Sequence, residues 1–349
     1  MPKSSLTAYR RIYESLKKRA KPGEERTVSE TGLMEEFEVS RDTARKALNL
    51  LSRDGYARRI QGRGTVLAIP AQSAAFHIQI PVNELFFRSS PREPLRQKFF
   101  ELMEGIRGVG GGADIRASIP LLRAGDPAGK QAAELMRPGS GIVFVSHAGM
   151  EDLIAVLRRE RFPHVVHAPD GLELNRVSSD SLDGTRRAIE TLVERGRKRI
   201  LLVAPSRVSA WHEPMIRAWK NVLDPKGLPS DDSLFLELGE AGPEAGEQLE
   251  QELSRRQYDA IFCAGAERSL WVLSLLRKRG RIPGRDLSFI SHEDHPEFVR
   301  QEPSVSAVRV PLQLIGERLG EALVPMIRFG YRDDIRITLD EELVLRGSV

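Results

Sequence analysis

Residues 7–20, "TAYRRIYESLKKRA", place Tyr9, Ile12, Tyr13 and Leu16 on one face at helical spacing, with charges around the rest of the turn. The pattern predicts a first helix, ended by the proline and glycine of "KPGEE". Ser29 stands where an N-cap belongs, ahead of "ETGLMEEF", whose Leu33, Met34 and Phe37 form the buried side of a short second helix. A break of three residues, "EVS", leads to Ser40, which caps a third helix from Arg41 to about Asp54. On that helix Ala44, Ala47, Leu48 and Leu51 follow the i, i+3, i+4, i+7 rule and face inward. Arg41, Arg45 and Asn49, spaced by four, then share the outer face. After "RDG" come two short strands, "YARRI" and "TVLAI", joined by "QGRG". Glycines on both sides of Arg63 allow a tight turn that pushes one guanidinium outward. Helix, helix-turn-helix and hairpin together predict a winged helix-turn-helix over residues 1–69.

Beyond a linker of small residues at 70–75 the period changes. Short apolar runs, "FHIQIPV", "GIVFVS", "HVVH", "RILLVA", "DAIFCA" and "LSFIS", alternate with amphipathic stretches such as "LRQKFFELMEGIR", "MEDLIAVLRRE" and "RSLWVLSLLRKRG". Buried strands alternating with helices of this size predict an α/β fold of parallel sheets flanked by helices. The number of units over 76–349 exceeds what one compact sheet needs, so two lobes are expected. In "DSLDGTRRAIETLVERGRKRI", Ser181 or Asp180 caps a helix, and Ala188, Ile189, Leu192 and Val193 face a sheet. Gly196 ends the helix in a left-handed turn, and Ile200 starts the next strand.

Charge sharpens this division. The chain of 349 residues has a formal net charge of only +4. Residues 1–70, however, hold 15 Lys and Arg against 9 Asp and Glu, whereas the remainder holds 38 against 40. A basic module on a near-neutral body points to a polyanionic partner for the module alone. The basic helices lack the bulky apolar face of a membrane-lying helix, and no apolar run approaches the length of a membrane span or signal peptide, so a cytoplasmic protein is expected. The single cysteine, Cys263, lies inside "AIFCAG" and reads as a buried structural thiol.

Two arginines and an asparagine on the third helix can reach guanine and adenine edges in a major groove. Ser29, Ser40, Thr43 and the helix N-terminus can hold phosphates, and Lys46 adds a third basic side chain to the stretch "VSRDTARKAL". A hairpin tip with Gly62 and Arg63 suits a minor groove.

The stretch "VSETGLMEEFEVSRDTARKALNLLSRDGYARRIQGRGTVLA" resembles the winged-helix domain of GntR-family bacterial transcription regulators, with their Ser-Arg-x-Thr-x-Arg-x-Ala-Leu core and Gly-Arg-Gly-Thr wing. The resemblance implies that Arg41 and Arg45 contact bases or nearby phosphates, Thr43 a phosphate, and Gly62 with Arg63 the minor groove. Where that family usually carries an arginine early in its second helix, this chain has Thr31, which keeps only a hydroxyl for a phosphate. The body resembles the effector domain of LacI-family repressors, itself similar to periplasmic sugar-binding proteins, in "DSLDGTRRAIETLVERGRKRI", "GIVFVSHAG", "DAIFCAGAERSLWVLSLLRKRGRIPGRDLSFISHED", "PSVSAVRVPLQLIGERLGEAL" and "ITLDEELVLRGS". A GntR-type head on a LacI-type body is similar to the arabinose-repressor class. It implies one lobe at about 76–168 and 298–330, another at about 169–297 and 331–349, a ligand between them, and a homodimer.

Against that family pattern, sugar contacts are altered. An Asn-Asp pair is replaced by Gly265 and Ala266, an arginine by Met215, and an aspartate by Glu293, one methylene longer. Ser146 and His147 after "GIVFV", and Trp211 with His212, stand at strand ends where open α/β sheets bind ligands. The adjacent residues of "SHEDH" at 291–295 point in different directions after a strand and predict no metal site. The glycine-rich "GVGGGAD" beginning at Gly108 follows a helix instead of linking strand to helix, so no nucleotide cofactor is expected. Ser146 and His147 lie in no nucleophile elbow, and no enzyme activity is expected. The expected function is a ligand-responsive transcription regulator, a repressor of operator DNA under a sugar-like effector. The alternatives are a cytoplasmic small-molecule-binding protein and a non-sensing DNA-binding dimer.

Overall fold

In a computed structural model of the chain, residues 8–20, 24–53, 56–60, 64–68, 76–83, 93–109, 115–123, 125–205, 209–239, 243–255 and 257–349 are described. The chain divides into two compact units. One comprises Met1–Arg88, Glu104–His167 and Glu317–Ile335, the other Ser89–Met103, Ala168–Gly316 and Arg336–Val349.

Within the first unit, the N-terminal head contains α1 (Ala8–Arg19), β1 (Glu25–Val28), α2 (Glu30–Phe37), α3 (Arg41–Arg53), β2 (Ala57–Ile60) and β3 (Gly64–Ala68). Ile12, Leu16, Leu33, Ala44, Ala47, Leu48, Leu51, Ala57 and Leu67 form its core, none more than 5% exposed. The helical periodicity of the sequence is therefore the packing surface. Ser29 caps α2 by accepting the Gly32 N–H at 3.0 Å. The turn into α3 runs through Glu38 in the left-handed region, φ 52 and ψ 51. Pairing of β1 with β3 makes a three-stranded antiparallel sheet. Sequence periodicity does not reveal β1. Its residues Glu-Arg-Thr-Val have no buried position, and only the hydrogen-bonding edge of β3 makes them a strand.

The rest of this unit has a parallel sheet in the order β9-β8-β4-β6, from β4 (Phe76–Gln79), β6 (Ile115–Ser118), β8 (Ser140–Phe144) and β9 (His164–His167). The short parallel pair β5 (Val82–Asn83) and β7 (Leu121–Leu122) follows on from β4 and β6 in the same register. Helices α5 (Ala128–Leu135) and α6 (Glu151–Arg159) belong to the same unit. Gly141 in β8 permits a close helix approach, since a Cβ there would lie 2.8 Å from Leu323 Cδ1.

In the second unit, β10 (Arg176–Ser179) pairs in parallel with β16 (Arg336–Leu339). Its main sheet runs β12-β11-β13-β14-β15-β17. These strands are β11 (Ile200–Ala204), β12 (Phe235–Glu237), β13 (Ala260–Ala264), β14 (Ser288–His292), β15 (Ser306–Arg309) and β17 (Glu342–Val344). All neighbours are parallel except β17 against β15. Helix α7 (Ser181–Glu194) is capped by Asp180, which accepts the Asp183 N–H at 3.0 Å, and Gly196 follows it at φ 80. Ala188, Ile189 and Leu192 are wholly buried. Trp219 in α8 (Glu213–Leu223) is 1% exposed, and its indole N–H donates to the Ile200 carbonyl at 3.1 Å. Cys263 is fully buried, and burial pushes its thiol up to about 11, which keeps it protonated and inert.

The partition differs from the sequence expectation at the crossings. Residues 306–308 pair with 290–292 in the second unit's sheet, although the sequence reading puts 298–330 in the first lobe. Residues 331–335 fall in the first unit, and 89–103 in the second. Helix α4 (Glu93–Gly108) and helix α12 (Leu312–Phe329) each pass from one unit to the other, which no hydrophobic period signals. Among the described residues, no helix is long and apolar enough to cross a membrane.

Candidate nucleic-acid interface and effector site

The N-terminal end of α3 carries the head's candidate chemistry. The Ser40 hydroxyl accepts the Thr43 N–H at 3.3 Å, and the two hydroxyls lie 2.9 Å apart. Inward packing of Ala44, Ala47, Leu48 and Leu51 leaves Arg41, Arg45, Lys46 and Asn49 exposed. Ser29 and Thr31, at the start of α2, are exposed as well, with Ser29 engaged as the cap. Gly62 and Arg63 lie outside the described residues.

Glu30, the first residue of α2, is a group that sequence reasoning missed. Arg41 Nε donates to Glu30 Oε2 at 2.8 Å, and Arg45 Nε donates to Oε1 at 3.2 Å. The hydrogen bonds from Arg41 and then Arg45 hold the Glu30 carboxyl down at about 2, so it is ionised throughout the physiological range. By accepting the Arg45 hydrogen bond, Glu30 in turn raises Arg45. One carboxylate thus aligns both arginines and neutralises part of their charge. The only sequence signal was an acid eleven positions before Arg41, and the helix crossing alone brings them together. Glu30→Gln is expected to tighten non-specific DNA binding and steepen the log K against log salt slope by roughly one unit. Anisotropy titrations on a scrambled duplex at several salt concentrations measure this, and an unchanged slope would contradict it.

In the second unit, polar groups gather after β13 and β14. Gly265 takes φ 93, a backbone region that favours glycine, and donates its N–H to the His292 carbonyl at 3.0 Å. Ala266 opens α10 (Ala266–Lys278) and donates its N–H to Glu293 Oε2 at 3.2 Å. Glu293 itself is held at φ 76, an uncommon conformation for a long side chain, with its own N–H on the Val308 carbonyl. Lys98 from α4 pairs with Glu293 Oε1. Burial alone would raise the Glu293 carboxyl, but the Lys98 and His292 charges with the hydrogen bonds from Lys98 and the Ala266 N–H together overcome it, and the group lies below its ordinary value. Arg268 turns to the strand ends instead, donating to the carbonyls of Leu238 at 2.8 Å and Ala264 at 2.6 Å. His212 is pushed down to about 4, first by burial and then by Arg268, so it is neutral at pH 7. Its Nδ1 is buried without a hydrogen-bond partner among the described residues.

Gly265, Ala266 and Glu293 are thus brought into contact, with His212 close enough to sense the charges of Glu293 and Lys98. Trp211 is partly buried beside His212, its N–H donated to the Ser209 hydroxyl at 3.3 Å. Met215 goes elsewhere. It packs in the apolar core at 5% exposure, because it shares the buried face of α8 with Trp219. Ser146 and His147 belong to the first unit, where the Ser146 hydroxyl accepts the Ala148 N–H at 3.2 Å and burial lowers His147. Lys98 was missed because nothing in the alternation of α4 distinguishes it from a solvated lysine.

The four titratable residues of "SHEDH" serve separate partners. His292 Nε2 meets Glu341 Oε2 at 3.0 Å, and Asp294 pairs with Arg346 at 2.7 Å and Arg309 at 2.9 Å. His295 caps α11 (Pro296–Arg300) by accepting the Glu297 N–H at 3.1 Å. Among the described residues, no group of three or more His, Cys, Asp and Glu side chains is placed to hold a metal ion.

Residues 5–67 match the gntR family of bacterial regulatory proteins, and residues 189–349 match a periplasmic binding protein-like domain. The HTH-type transcriptional regulator CelR of Thermobifida fusca is 26% identical over 178 residues, 50% of this chain and 52% of CelR. Catabolite control protein A of Staphylococcus epidermidis is 27% identical over 184 residues, 52% of this chain and 56% of that protein. The chain therefore spans about half the length of these curated relatives. A solved complex of the regulator CelR with cellobiose superposes with a TM-score of 0.66 at 20% identity, covering 89% of this chain and 92% of that one. That likeness extends the shared fold over both units. The chain is therefore similar over residues 5–67 to the gntR family of bacterial regulatory proteins and over residues 189–349 to a periplasmic binding protein-like domain, and the curated proteins it resembles are transcription regulators.

Proposed function

We propose that the protein is a sequence-specific DNA-binding transcription regulator, acting as a repressor, whose operator affinity is set by a small polar metabolite bound to its body. The observation that carries the reading is the exposed pair Arg41 and Arg45 at the start of α3, aligned by Glu30 and backed by a packed apolar face. Such a pair suits guanine edges in a major groove, while Ser40, Thr43 and the helix N-terminus suit the flanking phosphates. Ser29, Thr31, Lys46, Asn49, Gly62 and Arg63 extend the same interface.

In this reading the effector binds the second unit at the carboxyl ends of β11, β13 and β14, at Trp211, His212, Gly265, Ala266 and Glu293, and Ser146 and His147 are the candidates of the first unit. CelR is known in complex with cellobiose, which favours a sugar-like effector here. The regulator acts as a homodimer in the cytoplasm, so that two heads read two half-sites of one operator. Effector and DNA are coupled only through the ligand's differential affinity for two body arrangements, and a 100-fold shift in operator affinity needs about 2.7 kcal/mol of that difference.

The test is anisotropy of the purified full chain on duplexes from upstream of its own gene, against scrambled duplexes, over a range of salt. Specific binding is expected to exceed non-specific binding by at least about 10³-fold. Equal affinity for both duplexes would sink the reading.

A further inference from the structure

Around Glu293 the second unit presents an unusual charge arrangement. Its carboxylate is ionised, with a side-chain exposure of 21%, and its partners are one ammonium, from Lys98, and one backbone N–H, from Ala266. The neighbouring cation, Arg268, has its donors turned onto the carbonyls of Leu238, Ala264 and Gly239. Asp294 is neutralised by Arg309 and Arg346, and His292 is spent on Glu341. Neutral His212 offers a buried, unpartnered Nδ1, and Trp211 next to it offers an aromatic surface.

Among the described residues no uncommitted positive donor remains here for an anionic ligand, while a carboxylate, a neutral imidazole and an indole together suit a cation. We infer that the end of β14 is a receptor for a primary ammonium, filled in this structure by Lys98 and open to a small amine-bearing molecule that displaces it. Lys98 then acts as a built-in competitor. The effector class narrows from neutral sugars to sugar-sized primary amines, with Glu293 supplying the ion pair and His212 Nδ1 accepting a second hydrogen bond. This inference rests on the body being the sensing part of the proposed regulator.

The test is isothermal titration and thermal shift on the full-length protein with two matched pairs of probes, glucosamine against glucose and putrescine against 1,4-butanediol. Each amine is expected to bind more tightly than its neutral counterpart. Lys98→Ala is expected to strengthen amine binding by about tenfold, if Lys98 fills the site about nine-tenths of the time. Glu293→Gln should remove the preference for amines. Lys98→Met keeps the aliphatic stem and serves if the alanine variant does not fold. The inference is overturned if neither amine outbinds its counterpart in the Lys98 variants, or if the preference survives Glu293→Gln. Operator binding of the same preparations, measured without amine, separates the two levels. Intact specific DNA binding with no amine preference removes this inference alone, and amine preference without specific DNA binding removes the regulator reading alone.

Discussion

Replacing both Arg41 and Arg45 with alanine is expected to abolish the preference for operator DNA while leaving the fold intact. The two side chains are 69% and 45% exposed, so their removal opens no cavity, and the caps at Ser29 and Ser40 stay in place. A guanidinium set bidentate on a guanine discriminates by about 10- to 100-fold, so losing two should cost about 10²- to 10⁴-fold in specificity. Glu30 makes the loss deeper than a simple count. With both arginines gone the Glu30 carboxyl returns toward its ordinary value, stays ionised at pH 7 and repels the phosphates without their two charges beside it. The triple variant with Glu30→Gln should therefore regain some non-specific affinity and no specificity. Anisotropy on operator and scrambled duplexes measures both, with circular dichroism melting as the control for folding. A ratio of specific to non-specific binding that survives the double substitution would contradict the assignment of α3 as the reading helix.

Glu341→Ala is expected to destabilise the second unit by about 3–5 kcal/mol, the range for breaking one side of a buried ion pair. The Glu341 side chain is 0% exposed, accepts from Ser179 Oγ at 2.8 Å and meets His292 Nε2 at 3.0 Å. The same carboxylate explains Gly184, where a Cβ would collide with it. Burial alone would lower His292, but Glu341 outweighs it and raises the imidazole above its ordinary value. A raised folded value means that the stabilisation is complete below the unfolded value, about 6.5, and fades as pH rises through the folded one. Urea denaturation at pH 6 and at pH 9 should show the wild type less stable at the higher pH, and this pH-dependent loss should vanish in Glu341→Ala. A variant whose stability matches wild type at pH 6 would show that the pair holds nothing together.

The head was readable because its code is local. Caps at Ser29 and Ser40, the period of Ala44, Ala47, Leu48 and Leu51, and the four-residue spacing of Arg41, Arg45 and Asn49 all act within one or two turns of chain. The same holds for α7, whose cap at Asp180 and stop at Gly196 are written in its own residues. Strands β1, β6, β10 and β12 were harder to read. They are short or polar, and their partners rather than their residues make them strands.

What the sequence by itself determined is therefore the set of elements with strong local periodicity, the basic head on a near-neutral body, and the helix that carries two arginines on its exposed face. Only the tertiary structure decided that Glu30 holds those arginines, that Met215 is core, that Lys98 sits on Glu293, and that His292 is locked to Glu341. Lys98 and Glu293 are 195 positions apart, and His292 and Glu341 are 49 apart. Pairings of that kind depend on how helices cross sheets and on which charges burial forces together. Neither leaves a period in the chain, because a buried ion pair is selected by the space it shares and not by its sequence neighbours.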